Sequence, residues 1–149
     1  RLRGGELSAS LPVRGRLFLA GAISYVRADQ DGDATRGIAA SPLAETPPLR
    51  GRLAARYDDG RFFGLVEGVF AADQSRVDAA LHESRTPGWG VLSASAGLRR
   101  GRLRLTLGLQ NAFDRYYVEH LSYQRDPFRS GTPVAEPGRS LFANASFAF

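Results

Sequence analysis

The chain has 149 residues, 43% of them hydrophobic, with no cysteine and no methionine. It is too apolar for a disordered chain, and no uncharged run approaches the about 20 residues that a membrane-spanning helix needs. The absence of cysteine excludes a disulfide framework, a thiolate metal site and a cysteine nucleophile. All 20 basic residues are arginines spread along the chain, so the net charge of +5 does not indicate nucleic-acid binding.

Alternation of apolar and polar residues predicts seven β-strands. In residues 102–110, every odd position is leucine and every even position is polar or glycine. The predicted strands cover residues 5–13, 16–27, 49–57, 62–72, 89–99, 102–112 and 137–149.

The predicted connections alternate between short and long. Tight glycine-containing turns lie at Arg14-Gly15, 58–61 and Arg100-Gly101, whereas residues 28–48, 73–88 and 113–136 form long polar segments. All short turns therefore lie at one end of the sheet, as is typical of transmembrane β-barrels. The predicted fold class is all-β, an antiparallel up-and-down transmembrane β-barrel segment.

The last third of the chain carries recognisable motifs. Residues 110–117 (Gln-Asn-Ala-Phe-Asp-Arg-Tyr-Tyr) resemble the "NLFDKxY" element of TonB-dependent outer-membrane receptors. Residues 136–140 (Glu-Pro-Gly-Arg-Ser) resemble the "PGR" segment before the last strand of those receptors. The final Phe149, together with Phe147, is similar to the aromatic assembly signal that the barrel-assembly machinery reads in this family.

The resemblance implies a barrel of about 22 strands closed by a plug domain. Seven strands alone would leave unpaired sheet edges in lipid, which membranes do not tolerate. Residues 1–149 are therefore expected to be a C-terminal portion of the receptor barrel, without the plug domain and the N-terminal strands.

The family further implies uptake of a ferric siderophore or similar metal chelate across the outer membrane of a Gram-negative bacterium. The implied partners are the TonB energy-transducing complex, the plug domain, outer-membrane lipid and lipopolysaccharide, the barrel-assembly machinery and the extracellular chelate. No catalytic constellation and no cofactor are predicted.

Four charged residues are expected to face the barrel lumen. If Leu53 faces lipid, alternation directs the neighbouring charged side chains to the opposite face. Charges on a barrel wall usually pair with a partner, which favours contact with the plug domain over direct substrate binding. The residues concerned are Arg50, Arg52, Arg56 and Glu67.

A candidate ligand-binding segment lies in the last long loop, at Glu119, His120, Tyr123 and Arg125. Two protein ligands do not complete a zinc or copper site, so no metal site is predicted. A solvated loop histidine is the favoured interpretation, and a role of Tyr117 and His120 in shaping the loop is the alternative. Asn111 and Asp114 are expected to cap the turn after the sixth predicted strand.

Two other classes of protein fit the same alternation. One is a small outer-membrane β-barrel with a structural or adhesive role, which would need an eighth strand. The other is a soluble ligand-binding β-barrel, which would stay in solution without detergent. The ligand itself is not specified by these residues.

Overall fold

The computed structural model describes residues 1–126 and 129–149, and side-chain surroundings for residues 1–122 and 133–149. In chain order, the strands are β1 (Leu2–Arg14), β2 (Leu17–Gln30), β3 (Ser41–Pro42), β4 (Arg50–Asp58), β5 (Phe62–Ala71), β6 (Trp89–Arg100), β7 (Leu103–Gln110), β8 (Val118–Asp126), β9 (Arg129–Ala135) and β10 (Ser140–Phe147). The long strands form one antiparallel sheet in the order β1-β2-β4-β5-β6-β7-β10. The predicted all-β, up-and-down architecture and its seven strands are confirmed.

Three short turns lie at one end of this sheet. Each contains a glycine with left-handed backbone, Gly15, Gly60 or Gly101, at φ of 56°, 88° and 58°, a conformation that glycine adopts without a Cβ clash. In the middle turn, the Asp59 carboxylate accepts hydrogen bonds from the backbone N–H groups of Phe62 and Arg61. These bonds hold the pKa of Asp59 below its usual value.

The last long connection differs from the prediction. Residues 113–136 were expected to form one loop, but they contain a hairpin in which β8 pairs only with β9. In the backbone register of this hairpin, Val118 is paired with Ala135 and Asp126 with Arg129. The segment mixes polar and apolar residues and shows no strict apolar period of two. Because no face of the hairpin is marked for burial, periodicity did not reveal its strands.

One face of the main sheet is apolar on every long strand. The register places leucines and other apolar residues side by side, as where Leu98 and Ala145 both lie opposite Leu105. Most of this face is exposed, and Leu53 and Leu107 retain about two thirds of their accessible surface. Within the described residues, the buried hydrophobic side chains are only Ala28, Ala71 and Trp89. The apolar face therefore has no covering layer in this part of the chain.

No helix within residues 1–126 and 129–149 is long and apolar enough to cross a membrane. Two short 3₁₀ turns, Ala34–Arg36 and Ala79–Leu81, lie in the long connections. Aspartates cap both, since Asp33 and Asp78 accept backbone N–H groups of the turns that follow them.

Phenylalanine rings cover three glycines of the sheet. In each pair the two residues are direct cross-strand partners, and a Cβ on the glycine would overlap the ring. The pairs are Gly51 with Phe70, Gly97 with Phe63, and Gly108 with Phe142. The missing side chain thus makes room for a flat ring, which shields backbone that glycine would otherwise expose.

The chain ends in two phenylalanines near the short turns. Phe147 lies on the apolar face opposite Leu103, and its ring meets that of Phe149 edge to face at 5.8 Å. Phe149 is fully exposed. Their role as an assembly signal stays a prediction.

Candidate functional site

The described residues of the three long connections lie together at one end of the sheet and are called the loop layer here: 31–49, 72–88, and 111–126 with 129–139. The side chain of Glu83, in the second connection, contacts residues of all three connections. One carboxylate oxygen accepts the backbone N–H of Glu45 at 2.7 Å and lies 3.1 Å from His120 Nε2. The other oxygen accepts the backbone N–H of Asp78 at 2.7 Å. A single side chain thus connects the three loops.

His120 is buried at this junction, with 2% of its side chain exposed. Its Nε2 faces the Glu83 carboxylate, and its Nδ1 lies 3.0 Å from the Thr86 hydroxyl. An ionised carboxylate only accepts hydrogen bonds, so Nε2 carries a proton and Nδ1 accepts from Thr86 in the neutral ring. The interpretation of His120 as a solvated loop histidine is wrong, because the second and third connections enclose the ring.

A second junction joins the first two connections without using the third. The buried Asp78 accepts a hydrogen bond from Gln30 Nε2 at 2.8 Å. Gln74, also buried, donates from its Nε2 to the carbonyl oxygen of Thr46 at 2.7 Å. Buried polar groups with satisfied hydrogen bonds rigidify the segments that they join. A second set of hydrogen bonds therefore cross-links the loop layer, and Asp78 takes part in both sets.

The hairpin β8–β9 is attached to the rim of the sheet by Arg50. Its guanidinium makes parallel hydrogen bonds of 2.8 and 2.9 Å with both carboxylate oxygens of Glu119. It also lies 5.6 Å from the ring centroid of Trp89. The Trp89 ring in turn packs against Tyr117, with centroids 4.4 Å apart and the ring planes tilted by 41°. Burial, followed by the negative charges of Glu136 and Glu119, raises the pKa of the Tyr117 phenol.

The four charged residues expected to face the lumen share the polar face of the sheet. Arg52 pairs with Glu67 across β4 and β5, and Arg56 pairs with Asp58 at 3.3 Å. Arg50 is held by Glu119 instead. Each therefore has an oppositely charged partner within this chain. Contact with a plug domain stays a prediction.

The two candidate ligand-binding residues with described side chains, Glu119 and His120, have different ionic partners. Glu119 pairs with Arg50, whereas the adjacent His120 faces Glu83. The side chains of Tyr123 and Arg125 lie outside the described residues. Their role in ligand binding is untested.

A cavity of about 100 Å³ lies beside the Glu83 junction. Its lining includes both histidines of the chain and three glutamates, which sequence reasoning did not group: Glu45, His82, Glu83, Glu119 and His120. Within the described part of the chain, no three of the His, Asp and Glu side chains are arranged to hold a metal ion. Glu83 and Thr86 were missed because nothing in their local spacing distinguishes them from solvated loop residues.

The two motifs of the last third meet at the base of the third connection. Asn111, at φ 46°, accepts the backbone N–H of Arg115 and donates to the carbonyl oxygens of Arg115 and Pro137. Asp114 accepts the backbone N–H of Arg139 at 2.8 Å. The predicted capping of this turn is confirmed for Asn111, whereas the Asp114 side chain binds the segment that leads into β10. These motifs bring the chain from β7 to β10 around the hairpin.

Replacing Asn111 with alanine is expected to destabilise this base by about 1–2 kcal/mol. The N–H of Arg115 and the carbonyl oxygens of Arg115 and Pro137 lose their hydrogen bonds to the buried Asn111 side chain, and alanine disfavours positive φ. Urea unfolding of the full-length receptor in lipid vesicles measures the change. Asn111→Gly is the matched control, since it removes the side chain but tolerates the backbone. Equal stability of Asn111→Ala and the parent protein would contradict the capping role.

Replacing Arg50 with alanine is expected to loosen the hairpin. A double-mutant cycle with Glu119→Ala should give a coupling of about 1 kcal/mol, the upper end for half-exposed pairs, because the geometry is bidentate. Hydrogen–deuterium exchange at residues 118–122 reports the opening. Arg36→Ala is the control, because its pair with Asp33 is more exposed and should show no measurable coupling. Zero coupling between Arg50 and Glu119 would exclude this attachment.

An up-and-down sheet with one exposed apolar face and all long connections at one end is typical of transmembrane β-barrels. The sequence model of the family described as "TonB dependent receptor-like, beta-barrel" matches residues 1–112. The chain belongs to this family.

A solved structure titled "Copper transporter OprC" is similar to the chain over 99% of its length, with a TM-score of 0.83 and 26% sequence identity. The chain spans 24% of the length of that structure. A comparison with curated protein sequences gives no match. The structural likeness therefore extends beyond residue 112, where the match to the family model ends.

Proposed function

We propose that this chain is the C-terminal part of the barrel of an outer-membrane TonB-dependent receptor, which takes up a ferric siderophore or a similar metal chelate. The observation that carries the proposal is the division of the sheet into one continuous exposed apolar face and one polar, ion-paired face. A barrel wall between lipid and a wet lumen needs this division. The role is binding and transport, without catalysis.

The proposed partners follow from the same division. Outer-membrane lipid would cover the apolar face, and lipopolysaccharide would surround the loop layer. The plug domain would fill the lumen, and the TonB energy-transducing complex would act on it. The barrel-assembly machinery would read Phe147 and Phe149.

The loop layer would form part of the extracellular surface that meets the chelate. The contacts of His120 with Glu83 and Thr86 favour a role in shaping this surface over direct ligand contact. Tyr123 and Arg125, in the same hairpin, stay the proposed ligand contacts.

Copper is the second candidate cargo, favoured by the likeness to a solved structure that is named as a copper transporter. This chain contains neither methionine nor cysteine, the ligands that Cu(I) prefers. A copper site of that kind would lie in other parts of the receptor.

Deletion of the full-length gene tests the proposal. Uptake of a radiolabelled ferric siderophore panel and of radiolabelled copper should be compared in deleted and complemented cells, with and without functional TonB. We expect TonB-dependent loss of ferric chelate uptake. Loss of copper uptake alone would show that the receptor transports copper and not a ferric chelate. Unchanged uptake of both, or uptake that does not need TonB, would refute the proposed transport.

A further inference from the structure

The short-turn end of the polar face carries more arginine than carboxylate. Strands β4, β6 and β7 bring Arg56, Arg99 and Arg104 to this end, around Asp58 and the ring of Phe63. Asp58 is shared by two of the three arginines. We call these five residues the arginine cluster.

The carboxylate of Asp58 is fully used within the cluster. Arg99 binds both of its oxygens through parallel hydrogen bonds of 2.8 and 3.1 Å. Arg56 adds a third, at 3.3 Å. A carboxylate with three guanidinium hydrogen bonds has little capacity for a further cation.

Arg104 is the one arginine of the cluster that does not bind Asp58. Among the described side chains it pairs with no carboxylate, and its guanidinium lies over the Phe63 ring, 4.5 Å from the centroid. Arg99 lies over the same ring at 4.4 Å and is the direct cross-strand partner of Arg104. Like charges at directly opposed positions are unfavourable, so this arrangement favours an additional anion.

The surroundings of Arg104 leave room for such an anion. Its partner on β10 is Ser146, and the next pair on the same face is Thr106 with Asn144. Both β10 side chains are short and exposed. The guanidinium can therefore be reached from the polar side of the sheet.

We infer that Arg104, positioned by Arg99 and Phe63, binds a carboxylate of an acidic segment that lies against the polar face elsewhere in the same receptor. A planar guanidinium matches a carboxylate through two parallel hydrogen bonds. The inference rests on the proposed function in one respect, since the polar face then lines a closed barrel. The three β4 arginines expected to serve this purpose already have partners in the chain.

Hydrogen–deuterium exchange of the purified full-length receptor tests the inference. Arg104→Glu should accelerate amide exchange in one acidic segment outside residues 1–149 by about tenfold, as expected for loss of one charge-assisted hydrogen-bonded pair. Replacing the acidic residue of that segment with arginine should restore protection in the Arg104→Glu receptor. Arg104→Lys should keep most of it.

Arg61→Glu is the matched control, because Arg61 lies in a turn over the ring of Phe62 at 5.1 Å. Unchanged exchange outside residues 1–149 in a folded Arg104→Glu receptor would overturn the inference, as would equal acceleration in Arg61→Glu. If Arg104→Glu does not assemble, Arg104→Gln removes the charge without adding a carboxylate. Unchanged exchange outside residues 1–149 in Arg104→Gln, or equal acceleration in Arg61→Gln, would then overturn the inference. Amide exchange is measured without any transported substrate. A receptor that fails to take up metal therefore still gives a valid test of the Arg104 contact.

Discussion

Replacing Glu83 with alanine is expected to separate the three connections of the loop layer while the barrel strands stay paired. The carboxylate accepts two backbone N–H groups and faces the buried ring of His120. Each buried donor left without a partner costs about 1–3 kcal/mol, so we expect the free energy of loop opening to fall by about 2–4 kcal/mol. Hydrogen–deuterium exchange around residues 45, 78 and 120 should rise together.

Two variants serve as controls for this experiment. Asp33→Ala removes a local cap from the first connection alone, so its effect should stay within residues 33–38. Glu83→Gln retains one acceptor and should fall between the parent and Glu83→Ala. If exchange rises only near residue 83 in Glu83→Ala, the three connections are independent and Glu83 does not join them.

Replacing Gly108 with alanine is expected to destabilise the sheet by about 2–3 kcal/mol, because overpacking a filled position forces a side chain or backbone to move. The added Cβ would overlap the Phe142 ring, which lies flat on this glycine. Urea unfolding of the full-length receptor in lipid vesicles measures the loss. The β7–β10 pairing carries the last strand, so assembly of the barrel should slow as well.

Gly68→Ala is the matched control, since the nearest atom to its Cβ lies 3.9 Å away, at ordinary contact distance. It should be neutral or slightly stabilising, because alanine loses less backbone entropy than glycine. Phe142→Ala should relieve most of the additional cost of Gly108→Ala in the double variant. Additive effects of the two changes would show that the ring and the glycine do not interact.

The resemblance to TonB-dependent receptors was drawn from residues 110–149, and the family assignment rests on residues 1–112. The motif resemblance and the match to the family model depend on different physical features of the chain. The motifs at Asn111 and Pro137 are needed for hydrogen bonds that close the base of one loop. The remainder of the chain carries alternation of side chains, which many β-barrels share.

The sequence by itself determined the seven long strands, the short turns and the two faces of the main sheet. Those features depend on the alternation of apolar and polar residues along a strand and on the residue types of the turns. Both are visible among residues that are adjacent in the sequence. The position of Arg52 and Glu67 on the same face of the sheet follows from the same alternation. The cap at Asn111 was also predictable, because its contact with Arg115 spans four residues.

Only the tertiary structure decided the loop layer and the arginine cluster. Glu83 and His120 are 37 residues apart, and Arg99 and Asp58 are 41 apart, so no local pattern links either pair. The hairpin β8–β9 was also missed, because its residues show no strict alternation of apolar and polar side chains. Pairing between distant polar side chains depends on which loops the sheet brings together, and strand register alone sets that proximity.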